Sequence, residues 1–370
     1  MSKRRSSSRT TTSAISTLVV LIVVAILYVG QQLLGVDLSA TPTPAVENPG
    51  STSTAWYQLY FTDPDTTSEL DNPSGGIPDK VAASLDTAQK TIDVAVYEFN
   101  WLPLADSLLR AALRGVRVRL VTDTDSLGEE PIKALQQAGI EVVDDERGAI
   151  MHDKFVVIDG NTVWTGSMNF TRNDAYRNNN SFMRLTSTRL AQNYTAEFEE
   201  MFTNHQFGPT SPANTPNPTV TINGTLIENY FSPDDGVAAH ILDVLNSAQS
   251  SLYFMAFSFT RSDFSGVLIE KANAGVTVQG VFETRQIAAG GDAAWNALTQ
   301  ATVDVRQDGN KYNLHSKVFI VDGQIVVMGS YNFSGNAEDS NDENVLIIHN
   351  PEIAAAYFAE WQKVWEKAGQ

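Results

Sequence analysis

The chain has 370 residues, 42% of them hydrophobic and 18% charged, which suits one large folded body or two medium ones rather than a disordered chain. It contains no cysteine, so a disulfide scaffold, a thiolate metal site and a cysteine nucleophile are excluded. The first 55 residues hold four basic and two acidic side chains, so the remaining 21 basic and 41 acidic ones leave residues 56–370 at a net charge of −20, a surface that repels polyanions over long range.

In chain order, residues 1–13 are basic (Lys3, Arg4, Arg5, Arg9) and are followed by a nearly pure apolar run, AISTLVVLIVVAILYVG, from Ala14 to Gly30. With Leu33–Val36 this run meets the ~20 residues that a membrane-spanning helix needs. A cleaved signal peptide has the same layout, but no A-x-A-like site follows closely, which favours an uncleaved signal-anchor over residues 14–36. The positive-inside rule then puts residues 1–13 in the cytoplasm and the rest of the chain on the extracytoplasmic side of the cell membrane. Residues 37–55 read as a flexible linker rich in Pro, Ser and Thr.

From residue 56 onward the chain repeats itself. IDVAVYEFN (92–100) returns as LYFMAFSFT (252–260), RGVRVRLVTD (114–123) as AGVTVQGVFE (274–283), and YTAEFEEMF (194–202) as YFAEWQKVW (357–365), always in the same order. In the first copy Ile92–Glu98 and Val116–Thr122 are strand-like, Leu104–Leu113 is helix-patterned, and Lys154–Ile158 and Thr162–Thr165 flank an Asp-Gly turn. Arg189–Phe202 closes the copy with helical apolar spacing. The expected fold is α/β, two similar lobes (56–207 and 220–370), each a mixed sheet flanked by helices and related by a pseudo-two-fold axis, joined by a Pro/Asn/Thr-rich linker at 208–219.

The longest match is MHDKFVVIDGNTVWTGSMNFT (151–171) with LHSKVFIVDGQIVVMGSYNFS (314–334). His152 and Lys154 precede Asp159, Ser167 and Asn169 at the intervals that separate His315 and Lys317 from Asp322, Ser330 and Asn332. A His and a Lys two apart on a strand share a face, and the strand after the turn returns Ser and Asn beside them. Metal-free cleavage of a phosphodiester needs a nucleophile, an acid for the leaving alcohol, and donors for the anionic oxygens. One copy supplies half of that set and two facing copies supply all of it, so the site is expected to be complete within a single chain. The remaining histidines, His205, His240 and His349, lack this context. No second His or acid stands at metal-ligand spacing, and no cofactor is expected.

H-x-K-x4-D-G-x5-G-S-x-N, present twice, resembles the phospholipase D superfamily, whose members include phospholipases D, cardiolipin synthases and hydrolases, and nucleic-acid phosphodiesterases. The resemblance implies a phosphohistidine intermediate, with His152 as nucleophile and His315 as acid and base. It also implies that Lys154, Lys317, Asn169 and Asn332 hold phosphate oxygens, with Ser167 and Ser330 in support, and that Asp159 and Asp322 fix their turns. Matching positions further on carry Asn180 in the first copy and Glu343 in the second. The resemblance implies that these two residues orient the histidines across the interface, and Glu343 is expected to serve His152 and Asn180 to serve His315, because a carboxylate stabilises the charge on a phosphorylated ring whereas an amide leaves an acid ready to give up its proton. The expected substrate is a phospholipid headgroup ester. The alternative is a nucleic acid, for which Arg172, Arg177, Arg285 and Lys311 are candidate groove residues.

Overall fold

The computed structural model describes residues 52–53, 56–71, 73–290 and 293–369, all within one compact unit, Pro42–Gln370. The expected tail, membrane anchor and nearly all of the stalk lie outside these residues. Among the described residues no helix is long and apolar enough to cross a membrane.

The first half builds an eight-stranded mixed sheet from β1 (Thr52–Ser53), β2 (Tyr57–Phe61), β3 (Thr91–Val96), β4 (Arg117–Thr122), β5 (Glu141–Asp144), β6 (Lys154–Ile158), β7 (Thr162–Gly166) and β8 (Ser181–Thr186), in the order β1-β2-β8-β7-β6-β3-β4-β5. The second half repeats it with β9 (Thr219–Ile222), β10 (Thr225–Ser232), β11 (Ser251–Ala256), β12 (Thr277–Phe282), β13 (Asp304–Gln307), β14 (Lys317–Val321), β15 (Ile325–Gly329) and β16 (Glu343–His349), each strand taking the place of its counterpart. The strands β3, β4 and β5 are parallel, because helices Leu102–Leu113 and Glu130–Gln137 cross over between them, whereas β6, β7 and β8 form an antiparallel meander.

The strands KFVVI and TVWTG of the first half, and KVFIV of the second, are buried throughout. Unbroken apolar runs of this kind belong to sheets covered on both faces. The outer face is covered by short helices. The inner face is covered by the helix that ends each half, Thr188–Asn204 or Pro351–Lys367, which buries Leu190, Tyr194, Phe198 and Met201, or Ile353, Tyr357, Trp361 and Val364. Each is stopped from fraying by a side-chain cap: Ser187 accepts from the Leu190 N–H, and Asn350 from those of Glu352 and Ile353. Phe155, Val157 and Met183 of one sheet and Val318, Ile320 and Leu346 of the other belong to a single apolar core, so the two inner faces and their closing helices are one packed layer.

Candidate active site

Two short crossings connect the lobes at the chemistry. Residues 145–151 reach the second lobe: the His152 N–H donates to the Asp342 carbonyl (3.0 Å), and the Asp342 N–H donates to that of Ile150 (3.2 Å). Residues 308–314 mirror this, with the His315 N–H on the Asn179 carbonyl (3.0 Å) and the Asn179 N–H on that of Asn313 (2.9 Å). Each histidine backbone is thus locked to the residue before Glu343 or Asn180 in the opposite lobe. Asp123 and Glu283 hold the same segments from below, accepting the N–H groups of Met151 and Leu314.

The side chains follow. His152 Nδ1 lies 2.7 Å from Glu343 Oε2, across the interface. His315 Nδ1 lies 3.1 Å from Asn180 Oδ1 and 3.3 Å from Asp174 Oδ1, also across it. In both cases Nε2 is the nitrogen left for chemistry. Ser167 Oγ donates to Asn180 Oδ1 (2.7 Å), and Ser330 hydrogen-bonds Glu343, so the motif serines fasten the groups behind the imidazoles. Gly166 and Gly329 permit this: a Cβ on either would collide with the carbonyl oxygen of Ser181 or Asn344 on the neighbouring strand.

Lys154 and Lys317 are fully buried and donate to the carbonyls of their own histidines at 2.5 and 2.6 Å, with their ammonium groups over the rings of Tyr97 and Phe257. Two of the three N–H groups of each ammonium stay available for an anion. The Oδ1 atoms of Asn169 and Asn332 are buried and unpartnered, in both copies alike. A buried orphan acceptor is costly, and a bound donor would remove that cost, whereas an anionic oxygen would have to be held by the Nδ2 of each amide. Asp159 and Asp322 stand elsewhere, in the left-handed region at the far end of their strands. Their carboxylates collect the N–H groups of Gln89, Lys90 and Thr91, or of Gln249, Ser250 and Ser251, at 2.7–2.9 Å. They brace the turn and touch no phosphate site. His205, His240 and His349 are also remote: His205 ends a helix, His240 stacks on Tyr230, and His349 pairs with Glu228.

Burial dominates the electrostatics. It holds both imidazoles well below their ordinary value, aided for His152 by Lys154 and Lys317, and for His315 by Lys317, Lys154 and His152 itself, with Asp174 opposing. Burial brings Lys154 down to about 8, and burial together with Lys154 brings Lys317 well down. Burial lifts Glu343 to about 8, against the pull of Lys154 and the hydrogen bond from Ser330. The 2.7 Å contact requires one proton between Glu343 and His152, and in the tautomer whose Nδ1–H donates to the carboxylate, Nε2 keeps its lone pair. These mutual influences put both imidazoles and both ammonium groups within electrostatic reach of one another.

Asp174 is the site residue that sequence reasoning missed. Burial pushes its carboxyl up, but His315 and the amides of Asn178 and Asn180 outweigh this and leave it below its usual range. Asn178 Nδ2 (2.6 Å) and Asn180 Nδ2 (3.0 Å) donate to its Oδ1, and the Asn169 N–H to its Oδ2 (3.1 Å). A signal existed. Aligned on the histidines, Asp174 faces Ala337 while Asn180 faces Glu343, so each copy carries one acid at one of two nearby positions. The contrast expected between an acid behind one histidine and an amide behind the other is therefore incomplete, because His315 has both. Among the described residues no group of three or more His, Asp or Glu side chains is placed to hold a metal ion.

A profile of the family described as "Cardiolipin synthase, PLD-like domain" matches residues 81–202 and 241–365, one stretch in each lobe, and the chain belongs to this family within the phospholipase D superfamily. Among curated proteins it is 32% identical over 128 residues to a mitochondrial cardiolipin hydrolase of Chlamydomonas reinhardtii, covering 35% of this chain and 57% of that one. It is 29% identical over 135 residues to a phospholipase D of Rickettsia bellii, covering 36% of this chain and 67% of that one. The aligned part thus spans a little over half to two thirds of these relatives. Among solved structures, a phosphatidylserine synthase of Haemophilus influenzae superposes with a TM-score of 0.62 over 84% of this chain and 86% of its own, at 13% identity, which shows a shared two-lobed fold.

Proposed function

We propose that the protein is a phospholipase D-type phosphodiesterase that hydrolyses phospholipid headgroup esters through a phosphohistidine intermediate. His152 Nε2 attacks phosphorus, the P–O bond to the headgroup alcohol breaks, and His315 gives its Nε2 proton to the departing oxygen. His315 then takes a proton from water, the resulting hydroxide attacks phosphorus, and the P–N bond breaks to release the phosphomonoester and free His152. Lys154, Lys317, Asn169 and Asn332 stabilise the charge on the non-bridging oxygens. The single observation that supports this reading is the pair of imidazoles, each backed through Nδ1 by a group from the opposite lobe.

The choice of lipid over nucleic acid is supported by what the basic side chains do. Arg172 donates to the Leu70 carbonyl (2.7 Å), Arg285 to Asn313 (2.7 Å) and Arg177 to Asn173 (3.0 Å), and Lys311 pairs with Glu69 (2.8 Å). These residues staple loops of an acidic body rather than lining a track for a polyanion. The names of the relatives, a cardiolipin hydrolase and a phospholipase D, agree with a lipid substrate. The apolar N-terminal stretch is proposed to anchor the chain beside that substrate.

The test compares the full-length protein on vesicles of phosphatidylcholine or cardiolipin and on single-stranded DNA, each with and without EDTA. The expected outcome is release of headgroup alcohol that EDTA leaves unchanged, with DNA intact. Cleavage of DNA alone would overturn the lipid assignment. A rate abolished by EDTA and restored by a divalent ion would overturn the mechanism.

A further inference from the structure

Between the motif residues His152 and Lys154 stands Asp153, a fully buried carboxyl that the mechanism does not use. A half-site can be built without it, since Ser316 holds the same place between His315 and Lys317. Asp153 Oδ1 accepts the Nδ2–H of Asn344 at 2.5 Å, across the interface, and its Oδ2 makes no hydrogen bond among the described residues.

Asn344 follows Glu343 in β16, and its buried side chain is gripped by the first lobe. Thr165 Oγ1 (2.6 Å) and Tyr194 OH (3.2 Å) donate to its Oδ1. The Asn344 N–H donates to Ser330 Oγ (3.0 Å), the serine that also bonds Glu343. An ionised carboxylate can only accept, whereas a hydroxyl can give or take. Asp153 therefore fixes the turn of the amide, with Nδ2 toward itself and Oδ1 left to the two hydroxyls. The other half is built differently. There Ser181 stands in place of Asn344 and Met328 in place of Thr165. Tyr357 OH donates to Ser181 Oγ (3.0 Å), and Ser316 Oγ turns to the Asn179 carbonyl (3.2 Å).

We propose that Asp153 is a positioning residue of the nucleophile half-site, which locks Asn344 into the first lobe and so holds Glu343 against His152. The proposal rests on the reading of His152 as nucleophile. Two consecutive residues tie down both neighbours of Glu343: the His152 N–H holds the Asp342 carbonyl (3.0 Å), and Asp153 holds the Asn344 amide. The carboxylate behind the imidazole is thus pinned on either side by the chain segment that carries that imidazole. Loss of one tie lets it drift, and a displacement near ~1 Å costs about 100-fold in rate.

The charge of Asp153 bears on the same half-site. Glu343 and Lys154 face it from the site, Glu197 and Tyr194 from the first closing helix, and Asp234 and Asp342 from the second lobe. Burial, with Glu343, lifts its carboxyl to about 7, against the Asn344 hydrogen bond and the pull of Lys154. Above that pH it is an anion that helps Lys154 keep its proton, together with Glu343, Asp174 and Glu98.

The test uses the full-length protein on bis(p-nitrophenyl) phosphate, a phosphodiester that is neither lipid nor nucleic acid, so an error in the lipid assignment leaves it intact. Asp153→Ala is expected to lower kcat roughly 10- to 100-fold with KM within about twofold of the parent. Asp153→Asn keeps an acceptor for Asn344 and is expected to recover most of that loss. In an Asn344→Ala background, Asp153→Ala is expected to cost about threefold or less, because the lock is already gone. Parental kcat in Asp153→Ala, or a full loss in the Asn344→Ala background, would overturn the proposal. Asp153→Asn also removes the anion facing Lys154, so the basic limb of kcat/KM is expected to move down by about half a pH unit or more. An unmoved limb would reduce Asp153 to a structural residue, and this variant decides the matter if Asp153→Ala fails to fold. A measurement without substrate is the imidazole N–H resonance of His152, whose downfield position is expected to be kept in Asp153→Asn and lost in Asp153→Ala. Its retention in both would overturn the positioning, whereas an ester left untouched by the parent would count against the phosphodiesterase reading instead.

Discussion

The acid that trades places between the halves gives the sharpest test of the site. Asp174→Ala removes the carboxylate 3.3 Å from His315 Nδ1 but leaves Asn180 Oδ1 at 3.1 Å, so the ring keeps an acceptor and loses its counter-charge. Replacing the aspartate behind a catalytic histidine by an amide costs about 10⁴ in kcat where the tautomer is lost. With an acceptor retained here, a fall of roughly 10- to 100-fold in kcat/KM is expected. The substitution also strands the Asn178 amide and the Asn169 N–H, at ~1–3 kcal/mol for each buried donor left unsatisfied, so melting temperature must be followed in parallel. Asp174→Ala combined with Asn180→Glu separates the two effects. It copies the Ala337/Glu343 arrangement of the second lobe into the first, and restores a carboxylate to His315 without restoring partners to Asn178 or Asn169. Headgroup release is expected to recover most of the lost kcat/KM while the melting temperature stays low. A double variant no faster than Asp174→Ala would refute the idea that the carboxylate acts through His315, as would an Asp174→Ala enzyme of unchanged kcat/KM.

The pH profile follows from the buried cations. Lys154 near 8 loses its proton as pH rises through that value, so kcat/KM is expected to fall above about pH 8, and the depressed nucleophile, His152, puts the acid limb well below 6.5. A profile flat to pH 10 would show that the ammonium is not needed. Stability has a different lever in Glu197, buried with Oε1 unpartnered and raised well above its ordinary 4.5 by burial and then by Asp153 and Asp234. A raised acid holds its proton in the fold and releases it on unfolding, so its contribution is complete below 4.5 and is lost as pH rises through the folded value, by up to ~1.4 kcal/mol per pH unit. Glu197→Gln is expected to match the parent in thermal melts at pH 4.5 and to exceed it increasingly toward pH 8. A gap that does not widen with pH would refute this.

Much of the fold was legible in the sequence because a duplication doubles every signal. A strand pattern or a His-x-Lys seen once is weak, but the same intervals seen twice define two equivalent sheets and two half-sites. The element boundaries shifted by only one or two residues where capping decides them, as at Thr188, which follows the Ser187 cap. The correspondence of Glu343 with Asn180 was also readable, since both stand at one fixed distance along the chain from a motif histidine, while their placement opposite the histidines was what the resemblance implies.

What required the tertiary structure are the contacts between parts of the chain that no local pattern links. Burial of Lys154 and Lys317 depends on the packing of two sheets around them, and with it the shift of their proton affinities. The motif serines look like phosphate ligands in sequence but are turned by the close approach of Gly166 and Gly329 toward Asn180 and Glu343. Asp174 joins the site because a short helix, Arg172–Tyr176, aims it across the interface. Sequence determines which residues recur and which side of a strand they take. Only the docking of one half on the other decides which of them meet, because those contacts depend on the interface rather than on chain neighbours.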